Sequence, residues 1–364
     1  MELDGYPAPT YVLADTDDTQ DSEQWSGFAR LSAEAFGLSH QFSASASDID
    51  RTSYSGGWAS TFSGDRQAYR WQADGEAAGV AFAFGAERDE AYGALSSGEA
   101  RDLGTTSVFG VAQYEAGPLK LTGGLRHDDT DDFGSETTGR ISAAYQLAGG
   151  FILSGAYGTG FKAPTVSQAV CDYCYAPLPW AELRPETADS VEAALGWASS
   201  DGRFDGRATL YRLNVEDQIT YMAGQYINVA KTRSDGFELE GHALLGAGFD
   251  LTLAYAWTDA QDRTTGLRLL RVPEHAGSAT LGWTGDRLSG ALTVRAEGDQ
   301  DDSGGFSTVA REGFVTANLN AAYALTDKVT LTARIENLAD EHYQQVFGYG
   351  EPGRSGYVGI RLRY

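Results

Sequence analysis

Along most of its length the chain alternates apolar and polar residues with a period of two, the pattern of strands with two unlike faces rather than of helices. In "FDLTLAYAW", Phe249, Leu251, Leu253, Tyr255 and Trp257 fall on one face, and Asp250, Thr252, Ala254 and Ala256 on the other. "VTLTARIE" sets Val329, Leu331, Ala333 and Ile335 against Thr330, Thr332, Arg334 and Glu336. The terminal "YVGIRLRY" sets Val358, Ile360, Leu362 and Tyr364 against Gly359, Arg361 and Arg363. Such segments number about 17, each of roughly 9–12 residues, the length a tilted strand needs to cross a bilayer. Some, such as "QYINVAKTRSDGFELEGHALL", are long enough to project beyond it.

Alternation alone fits a soluble sandwich equally well, so the connections decide. Short turns ("EAGP", "LAGG", "SSDG", "GAGF", "TGDR") alternate with longer intervals rich in Gly, Asp, Ser and Pro, including "RHDDTDDFGSE", "FKAPTVSQAVCDYCYAPLPWAELRPE" and "EGDQDDSGGFSTVARE". Short and long loops then gather at opposite ends, which predicts an all-β, antiparallel up-and-down transmembrane barrel. Residues 1–24 read as an extracellular loop segment and residues 25–364 as barrel. Trp71, Trp197, Trp257 and Trp283 fall near predicted strand ends, where an interfacial aromatic girdle would place them; in a soluble fold they would fill a core. "GYVGIRLRY" reads as the closing strand, with Val358, Ile360, Leu362 and Tyr364 toward lipid. No repeat of fixed length supports a propeller.

Composition agrees, with 45 Gly, 19 Tyr and 16 Phe but only 9 Pro among 364 residues. A formal charge of −24 excludes a nucleic-acid partner, because phosphate would be repelled. No apolar run approaches the ~18–20 residues of a spanning helix, so a membrane role must use strands. "MELDGYPAPT" lacks a basic segment followed by an apolar one, the form of a secretory signal. Cys171 and Cys174 in "CDYCYAPLPW" are spaced for a small local disulfide in an oxidising compartment, or for half of a metal site that no further Cys or nearby His completes. An enzyme is not expected. His40, His127, His242, His275 and His342 are accompanied by no Gly-x-Ser-x-Gly elbow, HExxH helix or ligand cluster.

Five segments in order resemble the TonB-dependent outer-membrane receptors, most closely the cobalamin (vitamin B12) receptors. They are "GTGFKAPT" (158–165), "LRPETADSVEAAL" (183–195), "GFELEG" (236–241), "RIENLADEHY" (334–343) and "FGYGEPGRSGYVGIRLRY" (347–364), and the likeness runs from about "WSGFARLSAEA" to the C-terminus. The final aromatic is similar to the family's membrane-insertion signal. Each motif also has a local reading. Pro164 leads a strand tip out of the sheet, Asn337 and Asp340 suit backbone bonding at a strand exit, and Tyr343 suits an aromatic anchor.

The resemblance implies a Gram-negative outer-membrane location, lipid as partner, and energy-coupled uptake of a large scarce nutrient, cobalamin or in the alternative a ferric siderophore. No TonB box or plug is recognisable ahead of the first strand, and family barrels have about 22 strands. The expectation is therefore a fragment, truncated or degenerate barrel that would work with the TonB complex only if plug and box were supplied. No cofactor is required. Calcium is a candidate at Asp4, Asp15 and Asp17, in the loop that resembles a calcium-ordered region of cobalamin receptors; "DTDDTQD", "DDTDD" and "DQDD" lack regular calcium-loop spacing, and the plainer reading is a solvated acidic loop. Ligand contacts are expected of Tyr173, Tyr175, Trp180, Tyr221, Tyr226 and Tyr349, whose aromatic faces suit a large ligand as well as loop packing. Arg334, Glu336, Arg361 and Arg363 are expected to face a wet interior, meeting a plug or one another.

Overall fold

The computed structural model describes residues 2–5, 14–171, 174, 182–222, 224–229, 231–304 and 307–363. Its strands in chain order are β1 (Glu2–Gly5), β2 (Ala14–Ala35), β3 (Leu38–Ser55), β4 (Trp58–Ala77), β5 (Val80–Leu95), β6 (Ala100–Ala116), β7 (Leu119–Thr130), β8 (Gly134–Gln146) and β9 (Phe151–Lys162). A single turn of helix, α1 (Val166–Ala169), precedes β10 (Glu186–Ala198), β11 (Phe204–Glu216), β12 (Ile219–Met222), β13 (Gln225–Asn228), β14 (Thr232–Gly246) and β15 (Phe249–Asp262). The rest are β16 (His275–Thr284), β17 (Leu288–Glu297), β18 (Gln300–Ser303), β19 (Thr308–Arg311), β20 (Phe314–Thr326), β21 (Val329–Glu336), β22 (Gln344–Val346), β23 (Tyr349–Gly350) and β24 (Ser355–Leu362). Seventeen long strands and the short β1 belong to one antiparallel sheet, while β12–β13, β18–β19 and β22–β23 are separate hairpins. By compactness the chain divides into a first unit (1–143, 156–190, 214–231) and a second (144–155, 191–213, 232–364).

In the first unit, register separates the two faces one residue apart. Leu31, Phe42, Trp71, Ala86 and Val108 pair in sequence across β2 to β6. Their neighbours Arg30, Ser43, Arg70, Glu87, Ser107 and Asp128 pair across β2 to β7 on the other face. A one-residue slip would exchange the rows, so the pattern fixes the register. The turn between β2 and β3 is Phe36–Gly37, and both residues have positive φ (57° and 77°). That is the primed two-residue turn whose twist matches its strands.

In the second unit, Leu251, Leu281, Leu292, Leu319 and Ile335 make an apolar row across β15, β16, β17, β20 and β21. Beside it, Asp250, Gly282, Ala291, Asn320, Arg334 and Tyr357 make the polar row. The outward apolar side chains stay uncovered: Leu31 is 65% exposed, Leu125 68%, Val358 91% and Ile360 69%. Those exposures decide against the soluble sandwich, whose apolar faces must bury each other. Among the described residues, buried hydrophobic side chains are few and mostly small, Phe314 being the largest.

Aromatic side chains mark the short-turn edge of the apolar band. Trp197 Nε1 donates to Gly149 O (3.1 Å) and Trp283 Nε1 to Ala247 O (3.2 Å), each indole tying down a short turn beside a Phe, Phe151 or Phe249. Amphipathic rings of this kind favour a lipid–water boundary. Trp71 and Trp257 lie within β4 and β15 rather than at strand ends, because those strands outrun the apolar band. On β5 the face carrying Phe82, Phe84 and Ala86 continues as Arg88 and Glu90, so the strand keeps its ladder after its lipid-facing residues end.

Two local expectations change, and a third gains detail. Residues 1–24 are not loop throughout: β1 pairs with β2, which starts at Ala14, and β2 pairs with β3 from Thr19. "RHDDTDDFGSE" is not a long interval, since β7 runs to Thr130 and β8 starts at Gly134. Its acids tolerate the ladder because Arg126 pairs with Asp128 (2.8 Å) and Arg88 with Asp131 (2.8 Å), and the Thr130 hydroxyl closes the turn on Gly134 O (2.6 Å). "EGDQDDSGGFSTVARE" carries the β18–β19 hairpin.

Candidate functional site

The connections opposite the short turns hold the groups able to meet a ligand. In the first unit, Lys162 ends β9, and Ala163–Pro164 leads out of the sheet into α1. Thr165 caps α1 by a reciprocal pair of bonds with Gln168, a capping box that the sequence reading overlooked although Thr-x-x-Gln spells it. Val170 and Cys171 behind it are buried, and Cys171 is joined to Cys174 by a disulfide.

The β12–β13 hairpin brings Tyr221 and Tyr226 opposite one another, their rings edge to face at 5.2 Å. Its base is held by Asn228, which donates to Arg184 O (2.8 Å) and Asp217 O (2.6 Å) and accepts from Arg184 N (2.8 Å). Glu186 receives Ile219 N (3.1 Å) and Lys162 Nζ (2.9 Å), fastening the hairpin to the ends of β9 and β10. Tyr221 and Tyr226 are thus a preformed aromatic pair on an anchored support. Tyr173, Tyr175 and Trp180 lie outside the described residues.

In the second unit, three connections are locked into one block. Asp302 is fully buried, accepting from Arg271 Nε (2.6 Å), Phe347 N (2.7 Å) and its neighbour Ser303 N (2.7 Å). Burial alone would raise its pKa; the Phe347 amide and the Arg271 guanidinium outweigh that and hold it below the usual carboxylate range. Arg311, 4% exposed, bonds to Glu297 Oε1 (2.9 Å), Gln344 O (3.0 Å) and Glu312 O (3.1 Å). The Tyr343 ring packs on Phe314 at 4.3 Å, the anchor expected of it. Asn337 and Asp340 act on the backbone, as expected: Asn337 donates to Glu341 O (2.8 Å) and accepts from Glu341 N (2.8 Å), and Asp340 accepts from Arg354 N (2.7 Å). Tyr349 projects half-exposed from the β22–β23 hairpin above this block.

Several acids of these clusters have structural partners. Asp128, Asp131 and Asp302 pair with arginines, and Asp299 accepts from Gly313 N (2.7 Å). Among the described residues no group of three or more His, Cys, Asp or Glu is arranged to hold a metal. Asp17 is exposed on β2. Asp4 lies in β1 and Asp15 in β2, with side chains outside the described residues.

The polar face carries ion pairs: Arg66–Asp89 (2.6 Å) and Arg126–Glu87 (3.2 Å) between strands and, in the second unit, Arg334–Glu336 (3.3 Å) along β21, where Arg334 also lies over the Tyr357 ring at 4.5 Å. Arg361 shares that face by register. A concavity of about 670 Å³ runs along it, lined by Asp250, Thr280, Asn320, Arg334 and Arg361 among others.

A family model described as TonB dependent receptor-like, beta-barrel, matches residues 3–338. Among solved structures, the ferric-catecholate import receptor Fiu from K12 E. coli superposes with a TM-score of 0.79 at 14% identity, over 95% of this chain and 65% of that one. The siderophore receptor PiuA from Acinetobacter baumannii gives 0.80 at 15% identity, over 97% and 66%. The copper transporter OprC gives 0.78 at 17% identity, over 94% and 66%. The chain thus spans about two thirds of the length of these relatives, and at such identities the likeness is one of fold.

Proposed function

This chain belongs to the TonB-dependent receptor-like β-barrel family of the Gram-negative outer membrane, and we propose that it forms barrel wall and ligand-facing loops of a ferric-siderophore receptor. The family consists of transport receptors rather than enzymes. What supports the substrate reading is the fold likeness, over 95–97% of this chain, to a ferric-catecholate import receptor and to siderophore receptors. The cobalamin expectation, drawn from motifs such as "ENLADEHY" and "FGYGEPGRSGY", gives way to it. In the structure those motifs make turns and anchors for the loop block, work that any barrel of this family needs whatever it carries.

Three features suit the role. The exposed apolar band supplies the membrane anchor, and the ion-paired face is wet and polar. The Tyr221–Tyr226 pair and Tyr349 offer flat aromatic surfaces on loops already fixed by Asn228 and Asp302, so binding orders little that is not ordered beforehand. Energy coupling through the TonB complex would act on a plug and TonB box, which do not lie within these 364 residues.

The test is uptake of radiolabelled iron by an iron-starved Gram-negative host lacking its own siderophore receptors and expressing the full gene. Uptake from a ferric siderophore that depends on the gene supports the reading. Cobalamin uptake without iron uptake returns the assignment to the cobalamin receptors.

A further inference from the structure

The first unit holds most of the chain's negative charge. Its segments 1–143, 156–190 and 214–231 carry 30 Asp and Glu against 12 Lys and Arg, a balance of −18 out of the chain's −24. Tyr221 and Tyr226 belong to this unit, so whatever packs on them approaches through that field.

The connections that carry the pair repeat the imbalance. Residues 217–231 hold Lys231 as their sole Lys or Arg, and residues 163–185, tied to the hairpin base through Arg184 and Asn228, hold only Arg184. Asp172, Glu182 and Asp217 lie in the same two stretches. Each cation is already matched. Arg184 Nη2 meets Asp217 Oδ1 (2.5 Å), Lys231 Nζ meets Glu216 Oε1 (2.7 Å), and Lys162 Nζ at the end of β9 meets Glu186 Oε1 (2.9 Å). Exposed pairs of this kind are weak, and a ligand could part them. Parting one uncovers its carboxylate, so the summed charge that an incoming ion meets stays negative.

The short outward turns of the same unit bring no cation. Residues 56–57 are uncharged glycines, residues 96–99 add Glu99, and residues 131–133 add Asp131 and Asp132, of which Asp131 is matched by Arg88 from β5.

Stacking alone does not discriminate between iron chelates, because a catechol ring and a hydrocarbon chain both pack on a tyrosine face. Charge does. Three catecholate dianions around iron(III) leave a trianion, whereas three hydroxamate monoanions leave an uncharged complex. A pendant ammonium makes the latter a cation, which an aromatic face also attracts.

We propose that the Tyr221–Tyr226 site takes ferric siderophores of the uncharged or cationic hydroxamate class and rejects trianionic catecholates. The assignment rests on the siderophore reading above and narrows it. It sets this chain apart from Fiu, described as a ferric-catecholate import receptor.

The test titrates the product of the full gene, in detergent, by calorimetry with ferrichrome (uncharged), ferrioxamine B (cationic) and ferric enterobactin (trianionic), at low and at physiological salt. At least one hydroxamate complex should bind saturably, about tenfold or more tighter than ferric enterobactin. Added salt should leave ferrichrome binding unchanged and strengthen any enterobactin binding, since screening weakens a repulsion. Glu182→Lys, at an exposed position two residues before Arg184, should tighten enterobactin binding about threefold or more at low salt and leave ferrichrome binding as it was. Tyr221→Ala, checked for folding by heat-shifted gel mobility, should weaken the hydroxamate complex about tenfold or more. Enterobactin bound as tightly as the hydroxamates, enterobactin binding weakened by salt, or hydroxamate binding unchanged in Tyr221→Ala overturns the proposal and leaves the siderophore reading standing. Binding of none of the three overturns both.

Discussion

Replacing Asp302 by alanine should release the loop block of the second unit without unfolding the sheet beneath it. The carboxylate is wholly buried and collects the Arg271 guanidinium and the amides of Ser303 and Phe347. Alanine leaves the Phe347 amide without its acceptor, at about 1–3 kcal/mol. Arg271 is half-exposed and can turn to solvent, so its charge adds little. That loss of about 1–3 kcal/mol falls on the connections alone. Hydrogen exchange reads this directly. The amide of Phe347 should lose about one to two decades of protection, at about 1.4 kcal/mol per decade, while those of Leu292 and Leu319 in the ladder stay unchanged. The same carboxylate sets a pH dependence. Its folded pKa is depressed, so its stabilisation is complete above the unfolded value of about 3.9 and is lost as pH falls through the folded value. The block should therefore loosen only in acid below about pH 4 in the wild type. Unchanged protection at Phe347 in the alanine variant, or loosening of the wild-type block near neutral pH, would refute this account.

Other outcomes follow from the same geometry. Gly85→Val should disrupt the β4–β5–β6 ladder, because a Cβ there runs into Trp71 O and the Phe109 ring; loss of the heat-shifted folded band on gels is the readout. Trp283→Phe keeps a ring beside Phe249 but removes the bond to Ala247 O, costing about 0.5–1.5 kcal/mol in denaturant unfolding from lipid vesicles. Asn337→Ala strips the 4%-exposed side chain that bonds both backbone groups of Glu341 and leaves alanine at φ 49°; proteolytic cleavage within 337–354 should speed up by tenfold or more, about 1.4 kcal/mol.

The sheet was legible because its rule is local. A period of two and the turn residues between strands suffice to count seventeen long strands and to sort Val358, Ile360 and Leu362 from Arg361. Asn337 and Asp340 were legible for the same reason, their partners lying a few residues away or just across the turn. The acidic segments misled where their partners are remote. "DDTDD" looks like loop until Arg88, 43 residues before Asp131, is set beside it. Asp302 is anchored by an amide 45 residues downstream, a relation that no spacing announces. Tyr221 and Tyr226 were chosen as loop aromatics, but their pairing depends on a hairpin only four residues long on each side. Substrate choice is least legible of all, because it resides in such connections rather than in the alternation.

The strands that outrun their apolar band have a mechanical meaning. β3 holds 18 residues, which at about 3.4 Å each reach roughly 60 Å along the strand, or near 40 Å upright at a tilt of about 45°. A hydrocarbon layer is about 30 Å deep, so the surplus stands above it as a hydrogen-bonded palisade, charged by Arg88 and Glu90 on the side that faced lipid lower down. At that height the turns of this unit clear the acyl chains. A bulky solute can then reach them through water, meeting a stiff parapet and displacing no lipid.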